Sequence, residues 1–278
     1  MTSSVVEVEP GVRLHVQDVG PADAGRPVVL LAGLGLDHEV WDGPVASLGG
    51  HHRVVCIDLR GTGRSDAPIG DYSLGRLALD VTSVLERLDL ADVALVGHSF
   101  GGQVALLVAA TAPGRLGRIA MVSSNGVRAS RSHEFPFGPP AEALEAALVE
   151  AEREGRPAAR RRNVLAGFRP AAGSGAAPDP DLVDWLVRCQ LRMPSWAAIA
   201  CYHTYLHTDL TAELVAVKVP VLQILGSDDP VTSVEGGPWV QARLADARLV
   251  VLDGCGHYPM FEARSRFDEL LSEFASSP

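Results

Sequence analysis

A serine lies between two glycines at a point where an apolar strand is predicted to turn into a helix. Ser99 is the central residue of Gly97-His-Ser-Phe-Gly101, which follows the apolar run 92–97 and precedes the Ala-rich stretch 102–110. Strand, sharp turn and helix in this order are typical of a nucleophile elbow, in which glycines let the helix pass close to the strand. The pattern predicts that the Ser99 hydroxyl stands exposed at the end of a sheet and acts as a nucleophile.

A serine hydroxyl is a weak nucleophile at neutral pH. It needs an imidazole that takes its proton and a carboxylate that orients the imidazole. Both side-chain types follow predicted strands later in the chain, in Gly226-Ser-Asp-Asp-Pro230 after the penultimate strand and in Gly254-Cys-Gly-His257 after the last. We predict that His257 is the base. The residues alone leave the acid open between Asp228 and Asp229.

The segments that must position these residues alternate between strand and helix patterns. Apolar runs typical of buried strands occur at 27–33, 53–58, 92–97, 116–123, 219–225 and 247–252, and an alternating hairpin pattern at 5–18. Helical patterns occur at 74–90, 102–110, 237–244 and 259–274. Repeated strand–helix units predict an α/β fold: a mostly parallel sheet with helices on both faces, edged by the hairpin, with functional groups at the carboxyl ends of the strands.

The strand–helix alternation stops in the middle of the chain and resumes later. The intervening segment is rich in Ala, Arg, Pro and Gly, with helical patterns near 141–154 and 180–193. We therefore predict an N-terminal core part at 1–124, an inserted helical cap at 125–208 and a C-terminal core part at 209–278. Within the cap, the stretch 173–180 has the composition of a linker.

The chain resembles proteins of the α/β-hydrolase fold over nearly its whole length. The motifs that carry the resemblance are Leu31-Ala-Gly-Leu-Gly35, Asp58-Leu-Arg-Gly-Thr-Gly-Arg-Ser65, Gly97-His-Ser-Phe-Gly101, Gly226-Ser-Asp-Asp-Pro230 and Gly254-Cys-Gly-His257. The resemblance implies that fold, with its mostly parallel sheet and inserted cap. It selects Asp229 as the catalytic aspartate, three residues after the glycine of its motif. It also implies an oxyanion hole made by the backbone N–H groups of Leu34 and Phe100.

These residues imply a cofactor-independent serine hydrolase of the esterase, lactonase or cofactor-free haloperoxidase branch. It would cleave a small-molecule carboxylic ester or lactone through an acyl-enzyme. Alternatives remain open on the same fold: a perhydrolase or haloperoxidase, a non-hydrolytic lyase or cyclase of a biosynthetic pathway, or a receptor for a small ligand. A receptor would turn over nothing, and a cyclase that forms no acyl-enzyme would remain active after Ser99→Ala.

The composition limits the partners of the protein. A net charge of −10 disfavours binding to nucleic acid and to anionic membranes, so neither is expected. The first residues lack the basic and apolar segments of a signal peptide, and no apolar run has membrane-spanning length, so we expect a cytoplasmic protein. Four cysteines at unrelated spacings predict reduced thiols rather than a zinc site or disulfides. A homo-oligomer remains an alternative to a monomer.

Several bulky side chains are predicted to line the substrate pocket: Trp41, Phe135, Phe137, Trp196, Tyr202 and His203. His203 and His207 are one helical turn apart, a spacing that metal ligands use. The sequence shows no third ligand beside them. We therefore predict no metal site and place both histidines at the pocket or its rim.

Overall fold

A computed structural model describes residues 1–168 and 177–277. The strands are β1 (Thr2–Glu9), β2 (Val12–Val19), β3 (Val28–Leu31), β4 (Val54–Ile57), β5 (Val93–His98), β6 (Leu116–Val122), β7 (Val221–Gly226) and β8 (Ala247–Leu252). They form one eight-stranded sheet in the order β1-β2-β4-β3-β5-β6-β7-β8. Part of the predicted linker, residues 173–176, lies outside the described residues.

The sheet is mostly parallel, as the sequence predicts. Only the pairs β1–β2 and β2–β4 are antiparallel, whereas β4, β3, β5, β6, β7 and β8 pair in parallel. The hairpin of β1 and β2 turns at Gly11, whose φ of 79° suits a residue without a Cβ. β1 lies at the edge of the sheet, which confirms the position predicted for the hairpin.

Helices cover both faces of the sheet. Those of the described residues are α1 (Asp42–Leu48), α2 (Leu74–Arg87), α3 (Phe100–Thr111), α4 (Ala141–Gly167), α5 (Pro180–Arg192), α6 (Ser195–His207), α7 (Gly236–Gln241), α8 (Pro259–Glu262) and α9 (Arg264–Ser276). Successive residues of a strand point to opposite faces. Leu31 accordingly packs in one core with residues of α2 and α3, and Leu30 in a second core with residues of α1 and α9. Each fully buried aliphatic side chain contributes about 1.5–3 kcal/mol relative to exposure.

Three helices, α4, α5 and α6, lie between β6 and β7, inside the segment predicted to be a cap. The helix expected near 141–154 is longer, because it continues to Gly167 across a kink at Gly155, where φ is −162° and ψ is 60°. The sequence patterns predict no separate helix at the residues of α6. The division into core 1–124, cap 125–208 and core 209–278 stays a prediction.

The C-terminal helix expected at 259–274 is two helices, because Ala263 leaves the helical region with φ −135° and ψ 38°. None of the helices described is both long and apolar enough to cross a membrane.

Candidate active site

The turn at Ser99 has the strained backbone that its glycine-rich context predicts. Ser99 has φ 51° and ψ −116°, between the end of β5 and the start of α3. A Cβ at Gly97 would lie 2.1 Å from the carbonyl oxygen of Gly101, and a Cβ at Gly101 would lie 2.7 Å from the carbonyl oxygen of Leu31. Neither position has room for a side chain. The two glycines therefore let α3 begin directly behind the strand that carries the serine.

Ser99, His257 and Asp229 form one chain of hydrogen bonds. The Ser99 hydroxyl lies 3.0 Å from Nε2 of His257. Nδ1 of the same ring lies 2.9 Å from Oδ2 and 3.1 Å from Oδ1 of Asp229. A carboxylate only accepts hydrogen bonds, so Nδ1 carries the proton and the lone pair of Nε2 faces the serine. This is the arrangement in which the imidazole can take the hydroxyl proton.

The carboxylate of Asp229 is fixed by the backbone that follows it. Oδ1 accepts hydrogen bonds from the N–H groups of Val231 and Thr232, at 2.8 and 2.9 Å, and the side chain is fully buried. Asp228 is exposed, and its Oδ1 accepts from the Ser227 hydroxyl at 3.1 Å. The structure therefore brings Asp229, and not Asp228, to His257.

The loop that carries His257 is held from two sides. The Glu262 carboxylate accepts hydrogen bonds from the N–H groups of Gly256 and Tyr258, at 3.1 and 3.0 Å. The N–H of His257 itself donates to the carbonyl oxygen of Gly167, at 2.8 Å. Sequence reasoning missed Glu262 and Gly167. For Glu262, the only available signal was an acidic residue five positions after the histidine. Gly167 makes its contact through a backbone atom, and such contacts leave no pattern in side-chain types.

His98 supports the same loop from below. Its Nε2–H donates to the carbonyl oxygen of His257 at 2.8 Å, and the two rings are 4.9 Å apart. Burial, followed by the neighbouring His257, lowers the pKa of His98 to about 3. His98 is therefore neutral at physiological pH and serves as a hydrogen-bond donor to the loop backbone.

The two residues whose backbone N–H groups are expected to form an oxyanion hole, Leu34 and Phe100, lie near the serine. Phe100 is the first residue of α3, directly after Ser99, and Leu34 lines the same cavity as Ser99. The intervening loop is close, since a Cβ at Gly33 would lie 3.1 Å from Cβ of Ser99. Among the hydrogen bonds of the described residues, none is donated by either N–H group. Both donors remain available to an oxygen of a bound substrate.

A cavity of about 680 Å³ opens onto Ser99 and His257. Its volume falls in the range of small-molecule sites. Most of its wall is apolar and comes from the core loops and from α4 and α6: Leu34, Leu36, Leu144, Leu148, Tyr202, Leu206 and Val231. A polar patch interrupts this wall, where Arg160, Asn163 and Gln190 meet. The charge of Arg160 is matched by the buried carboxylate of Glu152, with bonds of 2.8 and 2.9 Å.

Tyr205 of α6 is a site residue that sequence reasoning missed. It lines the cavity, its hydroxyl interacts with Ser99, and its ring packs edge-on against Phe100 with centroids 5.9 Å apart. Burial raises the pKa of Tyr205 above its usual value, so the phenol stays protonated at neutral pH. No strand or glycine motif marks this residue. Its approach to the serine depends on how α6 packs over α3.

Of the predicted pocket residues, only Tyr202 lines the main cavity. Phe135 and Phe137 line a small recess that also reaches Ser99. The prediction for Trp41 is wrong, because this side chain is fully buried and packs against Phe267, with ring centroids 6.4 Å apart.

The predictions for Trp196 and His203 as pocket residues are also wrong. Trp196 is 52% exposed, and its indole N–H donates to the carbonyl oxygen of Ala67. His203 points to the solvent side of α6, where it donates to Glu145. Both lie on the outward face of a helix whose inward face, with Tyr202 and Leu206, lines the cavity. Sequence periodicity did not show which face this is, because α6 is apolar on most sides.

Comparison with known proteins adds three kinds of similarity. A family model described as "alpha/beta hydrolase family" matches residues 28–270. Non-heme chloroperoxidase of Streptomyces lividans is 32% identical over 91% of this chain and 92% of its own. Pimeloyl-[acyl-carrier protein] methyl ester esterase of Nitrosomonas europaea is 31% identical over 91% of this chain and 96% of its own. Among solved structures, an enol-lactonase from Burkholderia xenovorans LB400 superposes with a TM-score of 0.86 at 25% identity, over 99% of this chain and 100% of that one.

Proposed function

The chain belongs to the alpha/beta hydrolase family and has the fold of that family, and on this premise we propose that it is a cofactor-independent serine hydrolase. Its substrate is a carboxylic ester or lactone, which it cleaves through an acyl-enzyme. The observation that carries the proposal is the chain of hydrogen bonds from Ser99 through His257 to Asp229, at 3.0 and 2.9 Å, opening into a mostly apolar cavity of about 680 Å³.

Acylation begins when Oγ of Ser99 attacks the substrate carbonyl carbon and its proton passes to Nε2 of His257. The negative charge of Asp229 stabilises the imidazolium that results. The carbonyl oxygen becomes an oxyanion and accepts hydrogen bonds from the N–H groups of Leu34 and Phe100. The imidazolium then protonates the leaving oxygen as the carbon–oxygen bond breaks, so an ester releases its alcohol and a lactone keeps it tethered.

Deacylation repeats these steps with water. His257 takes a proton from the water molecule as its oxygen attacks the acyl carbon, and returns the proton to Oγ of Ser99 as the acid departs. Each hydrolysed bond thus leaves His257 neutral and Ser99 protonated. The same two backbone N–H groups stabilise both tetrahedral intermediates.

The cavity wall indicates the substrate class. Apolar residues of α4 and α6 favour an acyl or alcohol group that is mostly hydrocarbon, since burying it removes apolar surface from water. In the polar patch, the Arg160 guanidinium donates to Glu152 and to the carbonyl oxygen of Gln190, so this patch favours a hydrogen-bonding group on the substrate.

Stopped-flow hydrolysis of p-nitrophenyl acetate and butyrate tests the proposal. We expect a burst of p-nitrophenol close to one equivalent, and a butyryl adduct on the peptide that contains Ser99 in mass spectra of quenched protein. Ser99→Ala should lose both, with an unchanged far-UV circular dichroism spectrum as the folding control. Turnover that persists without Ser99, or an absent adduct in the wild type, would contradict the proposal.

A perhydrolase activity is the second candidate, favoured by the 32% identical relative named as a chloroperoxidase. Hydrogen peroxide would replace water in deacylation: its oxygen attacks the acyl carbon and a peroxycarboxylic acid leaves. The peracid then oxidises a halide to hypohalous acid and returns to the carboxylic acid. Bromination of phenol red in acetate, peroxide and bromide measures this route, and Ser99→Ala should abolish it together with esterase activity.

A further inference from the structure

Three side chains that can bind a metal ion meet on the solvent side of α4 and α6. The Glu145 carboxylate of α4 accepts a hydrogen bond from Nδ1–H of His203 through Oε1, at 3.0 Å, and one from Nε2–H of His207 through Oε2, at 2.7 Å. The two rings stack with centroids 4.6 Å apart. One ligand atom from each residue lies within 4.8 Å of the others.

The third residue, Glu145, could not be identified from the sequence. Glu145 precedes His203 by 58 residues, so no local motif joins them. The structure brings its two carboxylate oxygens to the two rings, one oxygen to each. Two imidazoles and one carboxylate are a ligand set that suits zinc, with the fourth tetrahedral position left to water.

The cluster is accessible to an ion from solvent. The side chain of His203 is 66% exposed and that of His207 is 30% exposed. Glu142, Glu150 and Glu154 line the same groove as Glu145, together with Arg153, and the chain carries a net charge of −10. This electrostatic environment attracts cations.

A second cluster, His15, His38 and Asp58, is a weaker candidate because it is buried and its carboxylate is also held by backbone N–H groups. Asp58 accepts hydrogen bonds from the backbone N–H groups of His38 and Arg64 as well as from both histidine rings. A metal ion there would have to displace these bonds inside the core.

We propose that Glu145, His203 and His207 form a binding site for a divalent transition-metal ion of the zinc type. The bound ion links α4, which carries Glu145, to α6, which carries both histidines. The inner faces of the same two helices line the substrate cavity, through Leu144 on α4 and Leu206 on α6. The bound ion therefore stiffens one wall of the cavity without contacting the substrate.

Isothermal titration with zinc chloride, on protein treated with EDTA and carrying no polyhistidine tag, tests the site. We expect one equivalent to bind and the Tm to rise with zinc concentration, because the ion binds the folded chain. His203→Asn, His207→Asn and Glu145→Gln should each weaken binding by about tenfold or more. Cobalt(II) in place of zinc should give the visible absorption of a tetrahedral ion in the wild type only.

Two further variants separate ligation from general effects. His133→Ala removes an exposed histidine outside the cluster and should leave zinc affinity unchanged. Glu145→His replaces the carboxylate by a third imidazole and should retain binding that Glu145→Gln loses. Wild-type affinity in His203→Asn and His207→Asn, or no zinc binding by the wild type, would overturn the proposal.

Discussion

The direction of each hydrogen bond decides what a single residue in the site can do. Asp229 accepts hydrogen bonds from two backbone N–H groups and from Nδ1–H of His257, so it is placed to orient the ring. His98 donates to the backbone carbonyl oxygen of His257 rather than to a ring nitrogen or the hydroxyl of Ser99. The two histidines thus have separate tasks, one in proton transfer and one in holding the loop.

Asp229→Asn should lower kcat by about four orders of magnitude while leaving the fold intact. An asparagine amide can donate to Nδ1, which moves the ring proton to Nε2 and removes the acceptor for the serine proton. Asp228→Asn is the matched control, because that carboxylate is exposed and accepts a hydrogen bond from the Ser227 hydroxyl. Steady-state kinetics on p-nitrophenyl butyrate would contradict the assignment if the control variant showed the larger loss.

His98 should make the protein less stable as the pH falls below neutrality. Its pKa is about 3 in the folded chain against 6.5 when unfolded, so between these values the unfolded state binds a proton that the folded state excludes. This costs about 1.4 kcal/mol of unfolding free energy per pH unit within that window. Urea unfolding at pH 7.5 and 5.5 should show the larger loss for the wild type, and a smaller one for His98→Gln. Equal losses would exclude the effect.

At the scale of elements, helix α4 and the loop that carries His257 are not independent. α4 ends at Gly167, whose carbonyl oxygen accepts from the N–H of His257, and Phe168 packs against Tyr258 with ring centroids 4.8 Å apart. Glu262, at the end of α8, holds the other side of the loop. The position of His257 therefore depends on the end of α4, a helix that lies between β6 and β7.

Gly167→Ala should reduce kcat by about 10²-fold, since small displacements of a catalytic group have effects of this size. The added Cβ would lie 2.6 Å from the Tyr258 ring and push the neighbouring His257 away from Ser99. Gly155→Ala is the matched control in the same element, because a Cβ there has no atom within 4 Å. Kinetics and thermal unfolding of both variants measure this. Equal activities would show that the loop absorbs the clash.

The sheet and helix α2 could be predicted because each element has a local pattern of apolar residues. The apolar runs of β3 to β8 and the amphipathic pattern of α2 mark elements that bury one defined surface. α6 is apolar on most sides and α4 contains a glycine and a proline near its kink, so periodicity gave neither their extent nor their inner face. For this reason, the residues of the cavity wall were the least predictable part of the site.

At the scale of the whole molecule, the motifs after β5, β7 and β8 come together because parallel strands end at one edge of the sheet. Topology alone therefore brings Ser99, Asp229 and His257 together, and the sequence order of their motifs was enough to expect it. Contacts made by backbone atoms, such as that of Gly167, or by residues of the inserted helices, such as Tyr205, depend on tertiary packing that no local pattern encodes.

The four cysteines should be unreactive until the whole chain unfolds. All are free and buried. Burial raises the pKa values of Cys189, Cys201 and Cys255 to about 12 and that of Cys56 further, so almost no thiolate is present at neutral pH. Native protein should not react with Ellman's reagent at pH 8 within minutes, and protein in guanidinium chloride should release four equivalents of the dye. Rapid reaction of native protein would show local opening of the core.

The hydrogen bond between Gly167 and His257 links the position of α4 to the alignment of His257 with Ser99. If α4 swung away from the core as a hinged cover, this bond would break and the base would lose its alignment with the serine. In such an open form, the protein could not hydrolyse an ester or lactone that had entered the cavity. We therefore expect cleavage only while the hydrogen bond between Gly167 and His257 is intact, so that the position of α4 and the alignment of His257 change together.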